Sequence, residues 1–171
     1  MLELLSYIAR FIVIMLIQLL VVNNIELSSY INPYIYIAFI LLLPVNMKAW
    51  QVVIISFFTG AIMDAFSSTP GLHIAATNLM GFLRFYYLRA ATTKEDQEGK
   101  VVPSISHKGI VWFGFYAFIL IFIHHLVLFF LEIYGFNEFF STIWRVFLSS
   151  LVSLMLIIMG QLLFYNVNRK R

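Results

Sequence analysis

Apolar residues in this chain fall into long blocks separated by short polar breaks. Leu4 to Val22 is interrupted only by short polar residues and Arg10, the polar segment Asn23 to Asn32 follows, and Pro33 opens a second apolar run that ends at Pro44. A hydrocarbon core about 30 Å thick takes about 20 helical residues to cross, so the first block predicts a membrane-spanning helix. It has no basic region before it and no small-residue cleavage site after it, so the expectation is an uncleaved helix and not a signal peptide. The second block is short. At about 1.5 Å per residue it spans half the core unless it extends to about Asn46, which predicts a tilted or partial helix. Gln51 to Phe66 predicts a third helix and Ser67 to Pro70 a turn, with Thr69 placed to cap and Pro70 to take the first helical position. A fourth helix then runs to about Arg89. Two further helices are expected at about Ile110 to Leu131 and Phe140 to Tyr165, joined by the connection EIYGFNEF.

Composition agrees with the pattern. The chain has 171 residues, 62% hydrophobic and 11% charged, with 18 Phe and a mean hydropathy of +0.93, against about 25% charged residues in soluble domains. The fold class expected is an all-α integral membrane protein of about six transmembrane helices, a single polytopic domain over residues 1–171. The one sharp change in composition is the charged segment from Ala90 to Gly109, with Lys94, Glu95, Asp96, Glu98, Lys100 and Lys108, read as a soluble loop that is either simply solvated or a docking surface. The absence of cysteine excludes disulfides and thiolate metal sites. A pI of 9.2 and a net charge of +3 fit basic cytoplasmic loops better than nucleic-acid binding. Lysine and arginine are retained on the cytoplasmic side. With six crossings, one side collects Lys48, Arg89, Lys94, Lys100, Lys108 and Arg169 to Arg171, so both termini are expected to be cytoplasmic, as in a bacterial inner-membrane protein.

The candidate chemistry is sparse. Residues four apart share a helix face, which puts Ser56, Gly60 and Asp64 on one stripe of the third helix and His73, Thr77, Gly81 and Arg84 on one stripe of the fourth. Small and polar residues let transmembrane backbones approach closely, so these stripes are expected to face each other across the turn. Asp64 then lies near the first turn of the fourth helix, whose free N–H groups attract an anion. One reading makes Asp64 a clasp between two helices. The other pairs it with His73 as a proton relay or ligand site, since ionisable residues inside membranes are functional candidates by default. His124 and His125 are adjacent on the fifth helix and about 100° apart, which suits interhelical hydrogen bonding better than chelation. Ser149, Ser153 and Gly160 form a small-residue stripe on the sixth, open to an intramolecular partner or to another protein's helix. Arg145 is expected to pair with Glu138 or Glu132, and Arg10 and Arg84 to snorkel to headgroups. Trp50, Trp112 and Trp144 fall at expected membrane boundaries. No phosphate loop, nucleophile elbow or zinc-protease helix is present, so neither catalysis, a cofactor nor a metal is expected.

One region carries a family resemblance. The proline-terminated LLLPVN, followed by FFTGAIMDAFSSTPGLH with a Gly and an Asp four positions apart, a serine-rich turn and a Gly-Leu pair (Gly60, Asp64, Ser67, Gly71 and Leu72), resembles the bacterial rod shape-determining MreD family. The motif covers about a quarter of the chain; elsewhere the likeness is one of hydropathy and layout, and the charged segment looks longer than the family's usual connection. The resemblance implies a fold similar to the substrate-binding S components of energy-coupling-factor transporters, with an outward-facing pocket that holds a partner or lipid. It also implies a noncatalytic scaffold of side-wall peptidoglycan synthesis. Its partners would be the single-pass protein MreC and, through a larger complex, MreB filaments, the glycosyltransferase RodA and a penicillin-binding transpeptidase, together with membrane lipid. Ser56, Gly60, Asp64, Gly71, His73, Thr77, Gly81, Ser149, Ser153 and Gly160 are the packing or partner-binding candidates. The alternative from another class is a small-molecule-binding transport subunit, and a membrane enzyme would need Asp64, His73, His124 and His125 to converge.

Overall fold

Long apolar runs without internal proline become helices, because in hydrocarbon every backbone polar group must be bonded within the protein. The computed structural model describes the backbone of residues 2–25, 31–134 and 138–168, with side chains from Leu5 to Leu163 among these. The basic tail Arg169 to Arg171 and parts of the connections after Ile25 and Tyr134 lie outside the described residues. Helix α1 covers Leu2–Leu20 and ends in a 3-10 turn at Val22–Asn24. Helix α2 is a single turn at Ala38–Leu41, α3 covers Ala49–Ser67 and α4 covers Leu72–Ala91. Short helices α5 (Lys94–Glu98) and α6 (Ile105–Lys108) precede α7 (Ile110–Ile133) and α8 (Phe139–Asn168).

Four of these helices have spans long and apolar enough to cross a membrane: Leu5–Asn24, Ala49–Ser67, Ile110–Ile133 and Phe139–Leu163. The protein is therefore a multi-pass membrane protein by length and composition. Helix α4 matches α3 in length and packs along it, but carries Arg84 and Arg89. The second apolar block takes the partial form of the two expected. It does not form a spanning helix: residues 31–37 are non-helical, the helix lasts four residues, and the chain continues irregularly to Lys48.

This strap is the centre of the molecule. Tyr36, Ile37, Ile40 and Leu41 are fully buried, and with Val52, Met63, Met80, Phe113, Tyr116 and Leu120 they form the main core. Non-helical backbone is tolerated at membrane depth only where protein surrounds it and satisfies its N–H and C=O groups. Helix α1 supplies Gln18, whose Oε1 accepts from the N–H of Ile35 at 2.6 Å and of Tyr36 at 3.2 Å while its Nε2 donates to the Pro33 carbonyl at 3.3 Å. Helix α8 supplies Ser149 and Ser153, which accept from the N–H of Asn32 at 3.0 Å and of Tyr34 at 2.9 Å.

At the strap's far end, Arg84 of α4 donates to the carbonyls of Leu41 and Leu43 and, through Nε, to the Tyr116 hydroxyl at 3.0 Å, while Tyr116 donates to Leu41 O at 2.8 Å. The expectation that Arg84 snorkels is thus overturned: it is 1% exposed. Its five fixed donors suit a cluster of carbonyls that a point-like ammonium cannot serve together. Arg84→Lys is expected to cost about 2 kcal/mol, the range of one lost charge-assisted hydrogen bond, and Arg84→Met more. Thermal unfolding of the purified variants in detergent checks that order.

The charged segment folds back on the bundle. Val45 N–H donates to Val101 O at 2.8 Å, Ile105 N–H to Gln161 Oε1 at 2.9 Å, and Gln97 to the carbonyls of Arg89 and Thr92. Lys108 and then the Thr93 hydroxyl hold the Asp96 carboxyl below the usual carboxylate range. The segment is thereby tied to α4, α8 and the strap.

Candidate functional site

The hairpin of α3 and α4 positions Asp64. Helix α3 closes at Ser68, whose φ of 55° is left-handed, and the chain turns back through Gly71 at φ 88°, a conformation that glycine adopts without strain. Helix α4 begins at Leu72, so neither Thr69 nor Pro70 takes the terminal position expected from sequence. Gly71 has no side chain with which to cap. The capping acceptor comes from the preceding helix: Asp64 Oδ1 accepts from His73 N–H at 2.9 Å and Thr69 Oγ1 at 3.0 Å, and Oδ2 from Ile74 N–H at 3.0 Å and Gly71 N–H at 3.1 Å. His73 and Ile74 occupy the second and third positions of α4, where a helix leaves N–H groups unpaired. The carboxylate, 6% exposed, also meets the positive end of the α4 dipole.

Below this clasp the two small-residue stripes meet as expected. A Cβ built on Gly60 would lie 2.4 Å from Thr77 Oγ1, 2.7 Å from Ile74 Cα and 2.8 Å from His73 O, and one on Gly81 would lie 2.2 Å from Ser56 Oγ. Thr77 Oγ1 lies 2.7 Å from the His73 carbonyl of its own helix and 3.0 Å from the Ser56 carbonyl across the interface. One hydroxyl proton serves both. Ser56, Gly60, Asp64, His73, Thr77 and Gly81 are therefore brought together along one helix–helix seam, with Gly71 at its turn.

The histidines gather around the strap. Tyr36 Oη lies 2.9 Å from His73 Nδ1 and 2.8 Å from His124 Nε2. His124 Nδ1 is buried without a partner, and we assign the ring proton to Nε2, so that His124 donates to Tyr36 and Tyr36 donates to His73. His125 Nδ1 donates to Ile121 O at 2.8 Å, which leaves Nε2 to accept from Ser153 at 3.3 Å. The imidazole of His73 faces Tyr36, and its link to Asp64 runs through its backbone N–H. Among the described residues no group of three or more His, Cys, Asp or Glu is placed to hold a metal ion.

On α8 the proposed stripe divides. Ser149 and Ser153 hold the strap, whereas Gly160 has no atom within 4 Å of an added Cβ and lines an open groove. Arg145 pairs with Glu132 at 3.0 Å and lies over the Phe129 ring at 4.1 Å. With its amide oxygen turned toward Arg145, Asn32 accepts from that guanidinium at 2.7 and 3.2 Å. Three participants escaped the sequence reading: Gln18, Tyr36 and Tyr116. Gln18 had a signal, as an amide within an otherwise apolar block. The two tyrosines had none, because a tyrosine in an apolar run reads as core or interface.

Comparison with protein-family models, with curated protein sequences and with solved structures returns no match.

Proposed function

We propose that this protein is a noncatalytic membrane scaffold of the cell-elongation machinery, as its MreD-like motif implies. It binds the single-pass protein MreC and, through that complex, helps couple MreB filaments to RodA and its transpeptidase in side-wall peptidoglycan synthesis. In this reading it lies in the bacterial cytoplasmic membrane with both termini cytoplasmic. The chain then crosses six times, with α4 and the strap added to the four apolar helices. The observation that carries the noncatalytic part is the use of the buried polar side chains: Gln18, Ser149, Ser153, Arg84 and Asp64 are spent on this chain's own backbone. A scaffold needs a rigid body and a lateral apolar surface, and Ile54, Phe58, Leu79, Phe82 and Phe115 present such a surface. Because the Gly60–Asp64 stripe is internal, partner contacts belong to that lateral surface.

The test is affinity purification of the tagged chain from bacterial membranes in mild detergent, with copurified proteins identified by mass spectrometry. Recovery of MreC with RodA and the transpeptidase is expected. Recovery of a transport ATPase or a vitamin-like small molecule in their place would overturn the reading.

A further inference from the structure

Helices α1 and α8 stand apart and leave a groove of about 860 Å³ between them, within the range of about 300–1,000 Å³ of small-molecule sites. Its walls are apolar: Val13 and Ile17 from α1, Leu156 and Ile157 from α8, Ile35 and Leu42 from the strap. Val13 and Ile17 are nearly half exposed, so the groove opens sideways, where a bilayer would meet it. One end differs. There the lining is Arg10, Ser104, Ser106, His107 and Gln161.

Gln161 is the structural member of that set. Its Oε1 is committed to Ile105 N–H, yet its Nε2 is buried without a hydrogen-bond partner. Ser104 and Ser106 bond each other at 2.8 Å and share one acceptor between them, which frees a hydroxyl proton. The end is thus rich in donors and carries a cation, and no acidic residue among the described residues lines the groove. Charge and polarity divide along the cavity as they do along an amphiphile, with an anionic, acceptor-only head and an apolar tail. Basic pockets between transmembrane helices hold phospholipid headgroups by this arrangement.

We propose that the α1–α8 groove is a binding site for one anionic phospholipid, its phosphodiester on Arg10 and the Ser104–Ser106 pair and an acyl chain along Val13, Ile35 and Leu156. The site requires a bilayer but not the scaffold function, and it stands whether or not MreC binds.

The test uses the full chain, purified and delipidated, with bound lipid counted by native mass spectrometry after addition of phosphatidylglycerol or phosphatidylcholine. Wild type is expected to retain phosphatidylglycerol about fivefold better, the ratio that one cation near a membrane surface supplies. Arg10→Ala removes that preference. Gly160→Phe fills the open space beside α8 and reduces retention of both lipids. Arg10 is exposed and Gly160 unobstructed, so both variants are expected to melt as wild type does. Equal retention of the two lipids by wild type, or phosphatidylglycerol retention untouched by both substitutions, would overturn the proposal. So would cross-linking of Gly160→Cys, the sole cysteine in the chain, to another polypeptide in native membranes with no lipid retained, since the occupant would then be a transmembrane helix.

Discussion

Asp64→Ala is expected to destabilise the protein by about 4 kcal/mol, and Asp64→Asn by about half as much. The carboxylate accepts four hydrogen bonds, three of them from backbone N–H groups at the start of α4. Hydrogen bonds to a charged group contribute about 1.5–3 kcal/mol each and do not add independently, which sets the first figure well below their sum. Asparagine keeps one oxygen. Placed toward Gly71 and Ile74 it preserves two of the backbone bonds, its NH2 group then donates to a rotated Thr69 hydroxyl, and His73 N–H alone is left unpaired. Thermal unfolding in detergent should rank the chains wild type, Asn, Ala, with the alanine variant lower by about 8–16 °C on the scale of 150–250-residue proteins. A relay role for Asp64 predicts a different pattern, in which both variants melt close to wild type.

Gly60→Ala should be nearly as damaging, about 3 kcal/mol, at the upper end of overpacking costs. Two of the three atoms its methyl group would strike are backbone, Ile74 Cα and His73 O, and both lie under 3.0 Å away. Backbone in a helix cannot rotate aside, so α3 and α4 must separate along the seam that Asp64 closes. Gly81→Ala meets only the Ser56 side chain within 3.1 Å; that hydroxyl has no partner to lose and can turn away, so a cost of about 1 kcal/mol is expected. Gly160→Ala meets nothing and should be neutral. Melting temperatures in the order Gly160→Ala, Gly81→Ala, Gly60→Ala, from highest to lowest, would establish the seam as the tightest contact of the hairpin.

The hairpin was legible in the sequence because its information is local. Ser56, Gly60 and Asp64, and then His73, Thr77 and Gly81, repeat at the helical interval, and one short turn joins the two stripes. The other long helices were legible from apolar length alone. The strap was not. Pro33 to Pro44 reads as a short, tilted or partial helix, and what reduces it to a single helical turn in an otherwise irregular strap lies far away in the chain. Asn32 depends on Ser149 and Tyr34 on Ser153, each across more than 110 residues. Arg84 differs from its sequence expectation for the same reason: its position near a helix end suggests an exit to headgroups, and only the carbonyls of Leu41 and Leu43 explain why it stays inside. The Ser149–Ser153–Gly160 stripe shows the limit of spacing arguments, since one helix face serves the strap at one end and an open groove at the other.

In the proposed scaffold the polar interior holds the fold together while the surface carries the function. Tyr36→Phe separates the two roles. The substitution removes the hydroxyl that joins His73 to His124 and leaves the packing of the ring in place. The measurement is the amount of MreC, the proposed partner, recovered with the tagged variant relative to wild type, at a temperature where its unfolding curve shows it folded. Recovery within about twofold of wild type is expected, together with a stability loss of about 1–3 kcal/mol for the unpaired imidazole nitrogens. A folded Tyr36→Phe chain that recovers no MreC would contradict it, because the buried tyrosine and its histidines would then take part in the function itself.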